Sequence, residues 1–271
     1  VSGIQRVKRV FERLRSEGKT AFIPYICAGD PSLDVTRQLV FALEKVGSDI
    51  LELGVPFSDP IADGPTIQRA TARALGAGAN LGGILTLVDQ IRDESEIPIL
   101  LMTYYNPPFR YGLERFCHEA ASAGVDGLII PDLPPEEAGE YLELAERFGL
   151  ATVFLAAPTS SIARLKLIAS ATTGFIYCVS VTGVTGARER LSDEVRPMVE
   201  KLRPLTDKPV GVGFGISKPE HVREVGEIAD AAIVGSAIIR TMERAIESGQ
   251  DPVRAVERFT SSLTQMAHNP L

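Results

Sequence analysis

Two carboxylates that could work together stand in the stretch DILELGVPFSDPIADGPTIQRA, residues Asp49 to Ala70. Glu52 sits inside an apolar run, and Asp63 follows in a loop rich in Pro, Gly and Asp that also holds Asp59. Ile50, Leu51, Leu53 and Val55 surround Glu52, so the run reads as a strand with little solvent on either face. A charged group is rarely buried without a partner, because leaving water disfavours the ion and raises a carboxyl's pKa toward neutrality. Two roles therefore stand open for Glu52: a structural acid paired with a base elsewhere, or a proton donor held for catalysis.

Three further segments have residue types suited to a site. GVGFGIS, Gly211 to Ser217, and IVGSAII, Ile233 to Ile239, place glycines where backbone N–H groups can approach an anion, and Ser236 adds a hydroxyl at the start of SAIIRTMERAIES. The alternative is that these glycines only permit tight turns. GVGFG lacks the spacing, the early βαβ position and the acidic residue of a dinucleotide fingerprint. The third segment, YCVSVTGVTGARERLSDE, Tyr177 to Glu194, reads either as a closing lid bearing Thr182, Gly183, Thr185 and Gly186 or as a plain surface loop.

Composition removes several classes. The chain has 271 residues, 45% of them hydrophobic and 23% charged, which suits a globular fold with a sizeable core. No apolar run approaches the roughly 18 residues of a membrane span. A net charge of −7 without a Lys/Arg block argues against nucleic acid or an anionic membrane as partner, so any phosphate bound belongs to a small ligand. Cys27, Cys117 and Cys178 are scattered, as are His118, His221 and His268, so neither a disulfide framework nor a metal site is expected, and a reducing compartment fits. The opening VSGIQRVKRVFERLRSEGK reads as an amphipathic helix, since it has acidic residues and no cleavage site.

These residues need elements to position them. Apolar, β-rich runs recur eight times, at AFIPYICAG, DILELGV, PILLMTYY, DGLIIPD, ATVFLAAP, GFIYCVS, PVGVGFG and AAIVGSA, with helical periodicity between them. Gly47, Gly124, Gly149 and Gly174 mark expected helix ends. The alternation predicts an α/β fold, a closed (β/α)8 TIM barrel formed by residues 1–271 as a single domain, with an extra N-terminal helix capping its bottom. No sequence repeat beyond the alternation stands out. In such barrels chemistry sits at the C-terminal ends of the strands, and phosphate sites lie after the seventh and eighth. Glu52, the Asp63 loop and both glycine segments then share one mouth.

In this order along the chain, FIPYICAGDP, LELGVPFSDPIADGPTIQRA, SVTGVTGAR, GVGFGIS and VGSAII closely resemble the tryptophan synthase alpha chain family, from about Phe22 to the final helix. The resemblance implies cleavage of indole-3-glycerol phosphate to indole and glyceraldehyde 3-phosphate, a retro-aldol reaction that two carboxylates can divide. On the family's pattern Glu52 matches the acid that protonates C3 of the indole ring and later takes the side-chain hydroxyl proton, and Asp63 the acid that hydrogen-bonds the indole N–H. Tyr177 matches a tyrosine lining the pocket, with a filling role at the barrel top equally open. Phe22, Leu100, Tyr104, Leu128, Ile130, Phe214 and Ile233 are candidates for the walls around the indole, each also a candidate for plain core. Gly186, Gly215, Gly235 and Ser236 fall on phosphate-binding positions, and Thr185 on the lid residue that meets Asp63.

The resemblance also implies a beta chain as partner in an alpha2-beta2 tetramer, pyridoxal phosphate held there with no cofactor in this chain, and a cytoplasmic location, or a plastid in a plant source. YNPPFRYG and PDLPPEEA fall on loops that in the family face the beta chain. Competing readings are a stand-alone lyase that releases free indole, a related phosphate-binding barrel such as phosphoribosylanthranilate isomerase or indole-glycerol-phosphate synthase, and a non-catalytic regulatory subunit. The related barrels would not explain the pairing of Glu52 with the Asp63 loop.

Overall fold

The computed structural model describes residues 1–179, 194–213 and 215–269. The apolar runs become strands β1 (Ala21–Cys27), β2 (Leu51–Gly54), β3 (Ile99–Met102), β4 (Gly127–Ile129), β5 (Ala151–Val153), β6 (Leu155–Ala156), β7 (Ile176–Cys178), β8 (Val210–Val212) and β9 (Ala231–Val234). They form one parallel sheet in the order β5-β4-β3-β2-β1-β9-β8-β7-β6. The ninth strand arises because the fifth run is interrupted at Phe154: its first half pairs with β4 and its second with β7, so one stave of the barrel joins the two ends of the sheet. The arrangement is the expected (β/α)8 barrel, with helices outside.

Parallel strands covered on both faces are apolar throughout, and β1 is buried at all seven positions. Alternate residues therefore enter two different cores. Phe22, Leu101 and Leu128 pack between sheet and helices, whereas Ile23, Leu100, Ile129 and Ile233 fill the barrel. The long interval after β2 holds two helices, Pro65–Gly76 and Leu81–Arg92. Gly47, Gly124 and Gly149 take positive φ beyond helix ends, as expected of them, but Gly174 does not; the helix before it ends at Ala171 with Thr172 as its cap.

The helix Gly3–Ser16 closes the bottom. Ser2 caps it by accepting from the Gln5 N–H, and Val7, Phe11 and Leu14 share the face that enters the barrel, where Phe11 meets Phe175 at 5.7 Å between ring centroids. The same helix is bolted down by charge. Arg6 reaches Asp126 (2.6 Å), Arg13 reaches Asp49 (3.1 Å) and Arg15 reaches Asp230 (3.7 Å). Each aspartate stands just ahead of a strand and accepts a hydrogen bond from a backbone N–H at the start of a neighbouring one: Asp49 from Phe22, Asp126 from Ile99 and Asp230 from Val210. This is a repeat that the sequence alone does not reveal, because its three copies share only the aspartate and its place ahead of an apolar run.

Asp126 is fully buried and also binds Arg92 at 2.7 Å. Removing one partner of a buried ion pair leaves the other charged and unmatched, at a cost of about 3–5 kcal/mol. Asp126→Ala is accordingly expected to lower the unfolding free energy by about 3 kcal/mol in a denaturant titration. A loss below about 0.5 kcal/mol, the range of ordinary surface changes, would show that the bolt contributes nothing.

Candidate active site

A cavity opens at the C-terminal ends of the strands. Tyr25, Met102, Leu155, Tyr177 and Ile233 supply its walls from the strands themselves, and residues after β2, β8 and β9 supply its rim.

Glu52 lies below it. Its register partners are Tyr25 on β1 and Leu100 on β3, and it precedes Gly54 by two residues. Met102, the partner of Gly54, lines the cavity, so Glu52 sits about 6–7 Å deeper at ~3.3 Å per residue. Glu52 is fully buried, and among the described residues neither carboxyl oxygen has a hydrogen-bond partner. Burial alone pushes its pKa well above the usual carboxylate range. The structural reading of Glu52 needed a basic partner, and none among the described residues is bonded to it. Above it, a side chain on Gly54 would collide with the Tyr25 hydroxyl, whose oxygen lies 2.2 Å from the place of a Cβ. The tyrosine ring thus rises from the level of Glu52 into the space that Gly54 leaves free.

Asp63 comes from the loop after β2, and it lines the cavity. The loop is held by its own backbone and by β3: the Asp63 N–H donates to Pro60 O (3.1 Å), the Gln68 side chain donates to Asp63 O (2.8 Å), and the Ala62 N–H donates to the Tyr104 hydroxyl (2.8 Å). Gly64 and Pro65 then start the next helix, proline being suited to a first-turn position that needs no N–H partner. Burial raises the Asp63 carboxyl to about 6, and a hydrogen bond with Tyr104 pulls the other way. Both acids are therefore displaced toward neutral pH by desolvation, with Glu52 the more deeply buried.

The glycine-rich ends meet on one side of the cavity. Gly215 has φ +68 with open space where a Cβ would stand, and Gly235 caps the helix Ser236–Glu247. The first N–H groups of that helix have no intrahelical acceptor, which makes them available to an anion. Gly215, Gly235 and Ser236 all line the cavity.

Of the residues singled out from sequence, the structure brings Asp63, Tyr177, Ile233, Gly215, Gly235 and Ser236 to the cavity wall. Tyr104 stands behind the Asp63 loop, and Leu100 lies in the barrel interior at the level of Glu52. Phe22 is corrected: it is fully buried on the helix-facing side, because the two-residue period of β1 that turns Tyr25 inward turns Phe22 outward. Leu128 and Ile130 also belong to the core between sheet and helices. Thr182, Gly183, Thr185, Gly186 and Phe214 lie outside the described residues. Sequence reasoning missed Tyr25, Met102 and Arg240 on the wall. Arg240 was findable, since it stands one helical turn after Ser236.

The tryptophan synthase alpha chain family model matches residues 11–268. A tryptophan synthase alpha chain of Solibacter usitatus is 51% identical over 258 residues, 95% of this chain and 96% of the relative. The solved structure of the alpha subunit of tryptophan synthase from Legionella pneumophila superimposes with a TM-score of 0.90 at 39% identity, covering 97% of this chain and 98% of its own. A tryptophan synthase structure from Mycobacterium tuberculosis contains a chain that matches with a TM-score of 0.90 at 36% identity, covering 97% of this chain and 98% of that one.

Proposed function

The chain belongs to the tryptophan synthase alpha chain family, the lyases that cleave indole-3-glycerol phosphate to indole and glyceraldehyde 3-phosphate, and we propose that its Glu52 and Asp63 carry that reaction as acid pair. The observation behind this reading is Glu52: a fully buried carboxyl without a hydrogen-bond partner among the described residues, one layer below a cavity that Asp63 lines.

Glu52, kept protonated by burial, donates its proton to C3 of the ring. Asp63, ionised above pH of about 6, accepts a hydrogen bond from the indole N–H and offsets the positive charge that develops on the ring. The Glu52 carboxylate then takes the proton of the side-chain hydroxyl. The carbon–carbon bond breaks, its electron pair returns to the ring, and Glu52 is again protonated. No hydrogen bond from the described residues holds Glu52 at its present depth, so rotation about its own side-chain bonds toward the cavity breaks none of these. Tyr177, with its hydroxyl lying over Gly213, walls the reacting end. The phosphate sits at Gly215, Gly235 and Ser236, where backbone N–H groups and the Ser236 hydroxyl supply donors. Thr185, Gly186 and Phe214 take the lid, phosphate and indole roles that the family resemblance gives them.

Residues 1–271 act as one barrel domain in this reading, without a cofactor of their own. The partner is a beta chain that carries pyridoxal phosphate and receives the indole, in an alpha2-beta2 tetramer. Exposed apolar groups near the cavity rim support a docking face there: Ile61 is 83% exposed and Phe109 is 61% exposed. The segments YNPPFRYG and PDLPPEEA are tied to each other, as the Tyr105 N–H donates to Asp132 at 2.8 Å. Among the described residues no helix is long and apolar enough to cross a membrane. The three cysteines are buried free thiols, each pushed up to about 12 by burial, in keeping with a place in the cytoplasm.

Incubating the chain with indole-3-glycerol phosphate, alone and with a beta chain, tests the assignment. Equal amounts of indole and glyceraldehyde 3-phosphate are expected, slowly from the isolated chain and faster with the partner. Full speed without the partner and no activation by it would favour a stand-alone lyase. Absence of cleavage in both would leave only a regulatory role.

A further inference from the structure

Among the described residues lining the cavity only two carry charge, Asp63 and Arg240. Arg240 lies on the helix Ser236–Glu247, four residues after Ser236, and so on the same face. Helical side chains tilt toward the N-terminus, which sends its long arm back over the first turn, where Gly235 and Ser236 meet the cavity.

Its charge is left over by the surrounding network. Glu243, three residues on, is the natural helical partner of Arg240, but it is engaged elsewhere. Arg69 holds both Glu243 oxygens (2.8 and 2.9 Å) and Arg73 a third contact (2.7 Å), and these arginines bring the Glu243 carboxyl down to about 2. Arg73 is itself shared with Asp30, through two bonds of 2.7 and 2.8 Å. Among the described residues Arg240 has no hydrogen bond or ion pair, and it is partly buried. A partly desolvated guanidinium without a counter-ion is costly, and an anion in the cavity relieves that cost.

We propose that Arg240 is the specificity-determining cation of the cavity: its guanidinium binds the phosphate of the substrate, selects a phosphorylated ligand over a neutral one, and orients the indole toward Asp63. The inference rests on the reading of Gly215, Gly235 and Ser236 as the phosphate end. Neutral N–H donors shape a site for tetrahedral oxygens, and the guanidinium adds charge-assisted, two-pronged bonding that responds to the charge of the ligand.

The test is a pair of titrations followed by amide NMR, with inorganic phosphate and with indole, on the wild type, Arg240→Met and Arg240→Lys. Methionine keeps much of the arm without its charge. Arg240→Met is expected to weaken phosphate binding about tenfold or more, to flatten its dependence on salt, and to leave indole affinity unchanged. Arg240→Lys should recover part of the phosphate affinity and the salt dependence. Unchanged phosphate affinity in Arg240→Met, or an equal loss for indole, would overturn the proposal while the phosphate site stood. Failure of phosphate to shift the Gly215, Gly235 and Ser236 amides of the wild type would instead remove the phosphate end itself.

Discussion

Glu52→Gln is expected to lower the rate of indole release by about 10²–10⁴-fold, the usual range for removing a general acid, while the variant still folds and binds inorganic phosphate. Glutamine keeps the shape of the side chain but has no acidic proton to give C3. Glu52→Leu should be equally inactive and more stable than the wild type, by about 1–3 kcal/mol, because it removes two buried oxygens that have no partner among the described residues. The gain depends on pH with a definite sign. The folded-state pKa of Glu52 is raised, so the folded chain holds this proton more tightly than the unfolded one. Wild-type stability from this group is fully present below the unfolded value near 4.5 and is lost as pH rises toward the folded value, so the advantage of Glu52→Leu widens over that interval. Denaturant titrations of both proteins at several pH values measure it. A narrowing advantage would mean that Glu52 is ionised and paired after all.

The second large effect falls on Asp63. Its carboxyl titrates at about 6, and the reaction uses the ionised form, so kcat/KM should fall as pH drops through about 6. On the alkaline side the limb belongs to Glu52, which must be protonated to act, and the profile of the wild type is a bell. Asp63→Asn should cost about 10²–10³-fold, as expected for loss of a group aimed at developing charge, and should abolish the acid limb. Tyr104→Phe removes the hydroxyl that bonds the Ala62 N–H and the carboxylate, and should move the acid limb upward, because that hydrogen bond favours the ionised form. Profiles of kcat/KM against pH for the three proteins check these statements together. An acid limb that survives in Asp63→Asn would assign it to another group.

Much of this was readable in the chain because the barrel writes itself as alternating apolar and helical periods. Glu52 stood out since a carboxylate interrupts a buried run, and Asp63 because a long Pro/Gly/Asp loop follows that run. The face of each strand residue was not readable. All seven positions of β1 are buried, so the usual apolar-polar alternation that would separate Phe22 from Tyr25 is absent. The break at Phe154 depends on which neighbour each half of the run meets, information that lies in β4 and β7. The aspartate bolts and the charge of Arg240, unmatched among the described residues, are long-range facts: Arg6 and Asp126 are 120 residues apart, and Glu243, the helical neighbour of Arg240, is engaged by Arg69, 174 residues away, and by Arg73.

The central claim is that Glu52 delivers and removes the proton at C3 of the indole ring, and proton exchange observes that step without the carbon–carbon cleavage. Indole in D2O is followed by proton NMR in the presence of the chain and glycerol 3-phosphate, which fills the phosphate end but has no aldehyde to react. The wild type is expected to replace the C3 hydrogen by deuterium faster than buffer alone, and Glu52→Gln only at the buffer rate. Exchange by Glu52→Gln as fast as by the wild type would contradict the account.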